Sequence, residues 1–149
     1  MSSIASLYIV KIGALPAIVG AAGQERSWEA IQQSGREPGE EYGWSGYVMM
    51  NILDNLDGLN VTLENPDLHE AARAISADFG HTTLITGNAR EFLDRLDPAA
   101  YEIDDLLDGP IDLQLDDEES RSAMEDTLSL LRAAITSLSG DEVLLIAIG

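Results

Sequence analysis

The sequence predicts one α+β domain over residues 1–149, a mixed sheet with the N- and C-terminal strands central, packed by a long C-terminal helix and several shorter helices. Three observations carry this. Short apolar runs with β-branched members stand at both ends, IASLYIVK at residues 4–11 and VLLIAI at residues 143–148, each of a length that suits a buried strand. Residues 117–138, just before the second run, keep helical spacing of apolar side chains throughout. The helical segments in between follow one another in pairs, which favours α+β over regular strand–helix alternation. Two apolar runs at opposite ends of a chain are natural neighbours in the middle of one sheet, which ties both ends down.

Each element has its own justification. Residues 4–11 are bounded by Gly13 and Pro16. Residues 15–22 and 27–33 read as short helices, and residues 36–46, with Pro38, Gly39, Gly43 and Gly46, as a loop. Met49, Ile52, Leu53 and Leu56 fall at i, i+3, i+4 and i+7, so residues 47–56 form an amphipathic helix. Residues 60–63 (NVTL) read as a short edge strand. Asn65 before Pro66 is an N-cap followed by proline at the first helical position, opening a helix that runs to Phe79 and stops at Gly80. Residues 82–86 (TTLIT) read as a strand. Asn88 with Glu91 has capping-box spacing for a helix over 89–96, and Asp97-Pro98 starts another that reaches Leu107. Ile111, Leu113 and Leu115 alternate with Asp112, Gln114 and Asp116, the pattern of a half-buried strand with an acidic outer face.

Charge is the second strong signal. The chain carries a formal charge of −19. Between Glu91 and Asp126 fourteen carboxylates face only two cations, Arg95 and Arg121, a local charge of −12 within 36 residues. Such crowding costs stability through self-repulsion. It argues against nucleic acid as a partner and for a basic protein surface or a bound cation. Lys11 is the only lysine, so three origins compete: an Arg-rich codon bias, adaptation to salt that screens the repulsion, and an acidic binding face. Cysteine is absent, which fits a reducing compartment. Residues 12–23 are uncharged and mostly apolar, but residues 1–10 at the very start carry no positive side chain, so the run is expected to be part of the fold and not a leader. No apolar stretch reaches membrane-spanning length, and a cytoplasmic protein without membrane contact is expected.

Motifs exclude more than they assign. With Asp104 at position 1 of a calcium loop, Asp108, Gly109 and Asp112 fall at positions 5, 6 and 9, yet Leu106 and Leu115 occupy positions 3 and 12, where oxygen ligands are required. Residues 116–119 (DDEE) open the last helix, where carboxylates complement its dipole. Arg73 stands where a second histidine would complete a zinc-protease motif with His69 and Glu70. His69 is expected on the wet flank of its helix, and His81 beside the carbonyls of a helix end. Gly43-Trp44-Ser45-Gly46 is one residue short of a nucleophile elbow. No phosphate-cradling glycine motif occurs, and Asn60-Val61-Thr62 has the form of a glycosylation acceptor. No metal ligand set or cofactor is expected.

Two features remain. Tyr42, Trp44 and Tyr47 cluster in a glycine-rich loop beside Glu40 and Glu41, either as a contact surface or as a lid on the core. Met124, Leu128, Leu131, Ile135 and Leu138 follow 4-3-4-3 spacing, a seam that packs on the sheet or joins a helix-mediated homodimer.

The short apolar start, the segment Ser27-Trp28-Glu29-Ala30-Ile31, the long last helix and the closing Gly140-Asp141-Glu142-Val143-Leu144-Leu145-Ile146 together resemble the YfbM-like family of small uncharacterised bacterial proteins. The resemblance rests mainly on the C-terminal helix and strand. It brings no established activity, so no functional residue is carried over.

The expectation is therefore a non-catalytic binding protein of the inhibitor or immunity type. Its acidic face would comprise Asp104, Asp105, Asp108, Asp112, Asp116, Asp117, Glu118 and Glu119, engaging a basic protein partner as its field steers the encounter. The alternatives are an enzyme using His69 or His81 as general base beside a carboxylate, or a salt-adapted domain with no special acidic face.

Overall fold

The two terminal runs pair with each other along their full length. In the computed structural model, which describes residues 3–23, 26–39 and 41–149, strand β1 (Ala5–Lys11) lies antiparallel to β4 (Glu142–Ile148), with Ala5 opposite Ile148 and Lys11 opposite Glu142. Strand β3 (His81–Thr86) takes the other side of β4, and the two-residue β2 (Gly35–Arg36) meets Ile9 and Val10 of β1. The order is β2-β1-β4-β3. The terminal strands are central, as their apolar runs imply, and every pairing is antiparallel, so the sheet is of one kind and not mixed.

Strand alternation sends side chains into two helical layers. Leu7 and Ile9 of β1 and Leu144, Ile146 and Ile148 of β4 join the core of α3 (Gly46–Gly58) and α6 (Asp117–Ser137). Val10 with Val143, Leu145 and Ala147 join Leu15 and Ile18 of α1 (Leu15–Ala21), Ile31 of α2 (Ser27–Ser34), and Ala72 and Ile75 of α4 (His69–Ile75). With both faces covered, β4 is buried from Val143 to Ile148, which is why its sequence is continuously apolar.

Helix α6 starts on a reciprocal cap. The Asp116 carboxylate accepts from the Glu119 N–H at 2.8 Å, and the Glu119 carboxylate accepts from the Asp116 N–H at 3.3 Å. Its seam residues Met124, Leu128, Leu131, Ile135 and Leu138 are all buried in the protein's own core, leaving no part of that seam for a second helix. Across the sheet, Asp78 accepts from the backbone N–H and the hydroxyl of Ser27 at the start of α2.

Several local expectations are corrected. Residues 60–63 form no strand. Asn60 turns into the left-handed region (φ 67°) as α3 ends, Val61 and Leu63 bury their side chains, and the Asn65 N–H reaches the Leu84 carbonyl on the outer side of β3. Residues 111–115 form no strand either. Leu113 and Leu115 are half-buried as the alternation implies, but no neighbouring strand meets them and Gln114 has φ 54°. The helix expected over 89–96 is a 3-10 run, Gly87–Arg95, without an Asn88 cap. Arg90 and Arg95 tie it outward, to the carbonyls of Leu138 and Leu59. The expected 97–107 helix divides into a 3-10 turn, Pro98–Ala100, and α5 (Ile103–Leu107). Tyr101 between them is extended, and its hydroxyl donates to the Arg95 carbonyl at 2.7 Å. The helix from Pro66 starts as a 3-10 turn and its α-helical part ends at Ile75.

One ion-pair cluster closes the sheet's lower corner. Glu142 meets Arg36 at 3.2 Å and Lys11 at 4.0 Å, and Lys11 meets Asp141 at 3.2 Å. Bonds from the Ser139 N–H and hydroxyl hold the Glu142 carboxyl below its usual range, with the two cations adding to this. The Lys11 ammonium does the same for Asp141. A lowered folded-state value means the stabilisation is present above the ordinary carboxylate range and is lost as pH falls through it. Glu142→Gln is therefore expected to flatten the acid limb of stability, read as a smaller shift of the urea midpoint between about pH 7 and pH 3. In the core, Leu131→Ala is expected to cost about 2–5 kcal/mol by the same measurement, against less than about 0.5 kcal/mol for the exposed Arg132→Ala.

Candidate functional site

The acidic segment is held to the body by two asparagines. Asn51 and Asn55 stand one helical turn apart on α3, so their side chains lie on one face. Asn55 Nδ2 donates to the carbonyls of Leu106 (2.6 Å) and Asp108 (2.8 Å), and Asn51 Nδ2 to that of Leu107 (3.3 Å). These carbonyls lie at the C-terminal end of α5, which has no following turn to satisfy them. The chain passes close: a Cβ on Gly109 would lie 2.9 Å from Asn51 Oδ1. Leu106 and Leu107 are buried beneath.

On this base the eight predicted carboxylates are all exposed. Asp104, Asp117 and Glu118 line one shallow depression, together with Glu102 and Arg121. Asp104, Asp108 and Asp112 line a second, which shares Ile103 with the first. The other three serve local structure. Asp105 accepts from the Glu102 N–H at 2.9 Å, and Asp116 and Glu119 cap α6. Asp112 also accepts from the Gln114 N–H at 2.9 Å. Among the described residues the ion pairs involve Lys11, Arg36 and His69 only, so none of these eight carboxylates is neutralised by one. Arg121 lines the first depression, and no cation among the described residues lines the second.

The aromatic loop is pinned from α6. The Thr127 hydroxyl donates to the Ala123 carbonyl at 2.7 Å, so in its 2.7 Å contact with Tyr42 it accepts and the phenol donates. Trp44 Nε1 donates to Asp126 at 2.9 Å. Burial pushes the Tyr42 phenol far above its ordinary value, and the Asp126 carboxylate adds to this, so the phenol stays protonated and remains a donor. Tyr42, Trp44 and Tyr47 then form one wall of an open groove of about 810 Å³ whose other wall is residues 111–114. Two side chains in it are unusually exposed for their type, Ile4 at 67 % and Ile111 at 39 %. Residues 111–114 also line the second acidic depression, so groove and carboxylates adjoin. Tyr42 and Trp44 pack against the core as a lid, and all three aromatics line the groove. Glu40, the loop's other acid, lies outside the described residues.

The histidines are elsewhere. His69 is exposed, with Nδ1 3.2 Å from Glu64 Oε1. His81 is half-buried and its Nε2 contacts the Thr83 hydroxyl at 3.3 Å, a strand neighbour and not the helix end expected. His81 shares a small depression with Asp54, Asp57 and Glu64. Among the described residues no group of three or more His, Asp or Glu side chains is placed to hold a metal ion. Nor is any helix among them long and apolar enough to cross a membrane.

No family model, curated protein or solved structure matches the chain. The geometry therefore stands alone. It adds residues that the sequence reading passed over: Glu102 in the first depression, Ile4 and Ile111 in the groove, Asp126 as the Trp44 acceptor, and the two clamping asparagines.

Asn51→Ala leaves the buried Leu107 carbonyl without its donor and is expected to cost about 1–3 kcal/mol, measured by urea unfolding. Tyr42 supplies a pH signature. A raised phenol value contributes stability that is whole below about pH 10 and declines as pH rises beyond it. Tyr42 is expected to ionise only as the fold opens, so that its phenolate absorbance rises together with the loss of near-ultraviolet dichroism. Tyr42→Phe removes that step.

Proposed function

We propose that this is a small bacterial protein of the cytoplasm that binds a basic protein partner through its acidic face, as an inhibitor or immunity protein covers a cationic groove. The face comprises Asp104, Asp108, Asp112, Asp117 and Glu118, with Asp105, Asp116 and Glu119 adding charge while they cap helices. The observation that carries this reading is the pair of adjoining depressions that share Asp104 and whose carboxylates have no ion-pair partner among the described residues. Depressions lined mainly by one sign of charge, with Arg121 the single cation against Glu102, Asp104, Asp117 and Glu118 in the first and none in the second, focus their field and raise encounter rates with an oppositely charged surface. The groove of Ile4, Trp44, Tyr47 and Ile111 adjoins them and supplies apolar and aromatic area, the kind of contact that anchors interfaces. With its helical seam spent on the core, the protein is expected to act as a monomer. The likeness to the YfbM-like family belongs to this reading and assigns no residue a role.

The test is capture from lysate with the immobilised protein and with a variant carrying Asp104→Asn, Asp108→Asn, Asp112→Asn and Asp117→Asn. The expected result is a basic protein retained at low ionic strength and released near 0.5 M salt, where screening is nearly complete beyond about 4 Å. The variant is expected to lose at least about tenfold in association rate. A partner at no ionic strength, or one held equally by the variant, overturns the reading. Salt adaptation is distinguished by melting temperature. A steep climb across molar salt shared by the protein and the variant assigns the acidity to solvent conditions.

A further inference from the structure

We propose that the outer edge of β1 at Leu7 takes up a short extended segment of the basic partner as an added strand. This rests on the reading of a basic partner and names how its backbone is held. Bonded pairs in an antiparallel ladder alternate. Ile4 and Gly149 exchange both their bonds, at 2.8 and 3.0 Å, and the Ile12 N–H reaches the Asp141 carbonyl at 2.8 Å, so the even-numbered residues of β1 bond to β4. The odd-numbered residues aim their N–H and C=O at the opposite edge. There Ile9 is met by Arg36, and Ile4 is bridged to Ser45. Between these two contacts the Leu7 N–H and C=O have no backbone partner among the described residues.

Between the two contacts, Glu37, Pro38, Glu41 and Tyr42 stand over the edge across a cavity of about 270 Å³. Its walls continue the two helical layers: Trp28 and Gln32 of α2 on one side of the sheet plane, Leu130 of α6 and the loop residue Tyr42 on the other. Trp28 is held edge-on between Tyr8 and Phe79, and Tyr42 is bonded to Thr127, so both walls are fixed. The space is a slot in the plane of the sheet. From Ile4 to Ile9 it spans about 17 Å at about 3.4 Å per residue, room for roughly three residues of strand.

The slot's chemistry selects its occupant. One N–H and one C=O from the same residue, pointing the same way, are complementary to the matching pair on an extended peptide. Left unmet in a cavity, such groups cost free energy. Glu37 and Glu41 line the slot's mouth, both exposed and without an ion pair among the described residues, which favours lysine or arginine flanking the bound residues. A second copy of this chain is disfavoured, since it brings another −19 charge and its own β1 edge is interrupted by β2.

The probe is an acetylated, amidated pentapeptide alternating lysine and valine, with two analogues, each N-methylated on one alternate set of amides. All three have the same charge, and a strand shows only one set to the slot. The expected result is that one analogue binds at least about tenfold more weakly than the parent while the other matches it. Slowed hydrogen exchange at the Leu7 amide is expected with the parent only where binding persists. Glu37→Lys with Glu41→Lys is expected to weaken the parent peptide similarly. If both analogues bind as the parent does, or the Leu7 amide exchanges unchanged at saturation, the slot is overturned. The acidic-face reading is then judged separately, by whether the four-site Asp→Asn variant changes capture of the basic protein. Because the decisive comparison alters the peptide, misfolding of the protein does not enter it.

Discussion

The pairing of β1 with β4 is the constraint on which the rest of the architecture hangs. Seven consecutive residue pairs, extended by the Ile4–Gly149 and Ile12–Asp141 bonds, join the two ends of the chain. Everything between must leave from one strand and return to the other. Because β4 follows α6 after only a short turn, the helix is laid back along the face that Leu144, Ile146 and Ile148 present. Because β1 leads into α1 and α2, those helices take the opposite face. The described residues that link β2 to α3 accordingly lie beside the outer edge of β1, where Glu37, Pro38, Glu41 and Tyr42 line the cavity with Ile4 to Tyr8. The groove and the slot follow from that placement.

A second constraint governs the acidic segment. Fourteen carboxylates within 36 residues resist being packed against one another, and the segment is accordingly broken into a 3-10 turn, the short α5 and an irregular stretch before α6. Local capping absorbs part of the charge: Asp97, Asp105, Asp116 and Glu119 each accept from a backbone N–H. What fastens the segment to the body is neutral. Asn51 and Asn55 donate to three carbonyls, and Leu106 and Leu107 insert below them. Amide donors do this without placing cations next to the carboxylates, so the exposed acids keep their field. An arginine at either position would have held the same carbonyls and cancelled part of it.

What was legible in the sequence had strong, uninterrupted periodicity. The apolar ends and the 21-residue α6 are plain because many residues repeat one message. The alternation at residues 111–115 carried the message of a strand and half of it is obeyed, since Leu113 and Leu115 do turn inward. A strand also needs a ladder partner, and nothing in a local pattern supplies one. Asn60 to Leu63 fails likewise: its apolar residues are buried, but the left-handed turn at Asn60 decides the backbone path. The asparagine clamp had a faint signal, two asparagines four apart on the stripe that also carries Ile52 and Leu56. Polar residues on an apolar stripe ask for partners. Which carbonyls would answer is a tertiary fact, as is the meeting of Trp44 with Asp126 across 82 positions of sequence.

The edge of β1 poses a stability problem of its own, and the proposed slot follows from how the fold handles it. Exposed strand edges invite aggregation, and proteins blunt them with proline, charge or a covering loop. Here the described residues of the loop supply all three, with Pro38, Glu37 and Glu41 over the gap. The cover is incomplete because the loop is drawn outward by its own anchors. Tyr42 must reach Thr127 and Trp44 must reach Asp126, both on α6, and satisfying those bonds lifts the backbone off the strand. A loop laid flat along β1 would have closed the ladder at Leu7 and forfeited the anchors. The fold thus shields its edge by charge and, among the described residues, leaves the Leu7 backbone pair unmet between the fixed Trp28 and Tyr42 walls, the position we propose for a cationic extended segment.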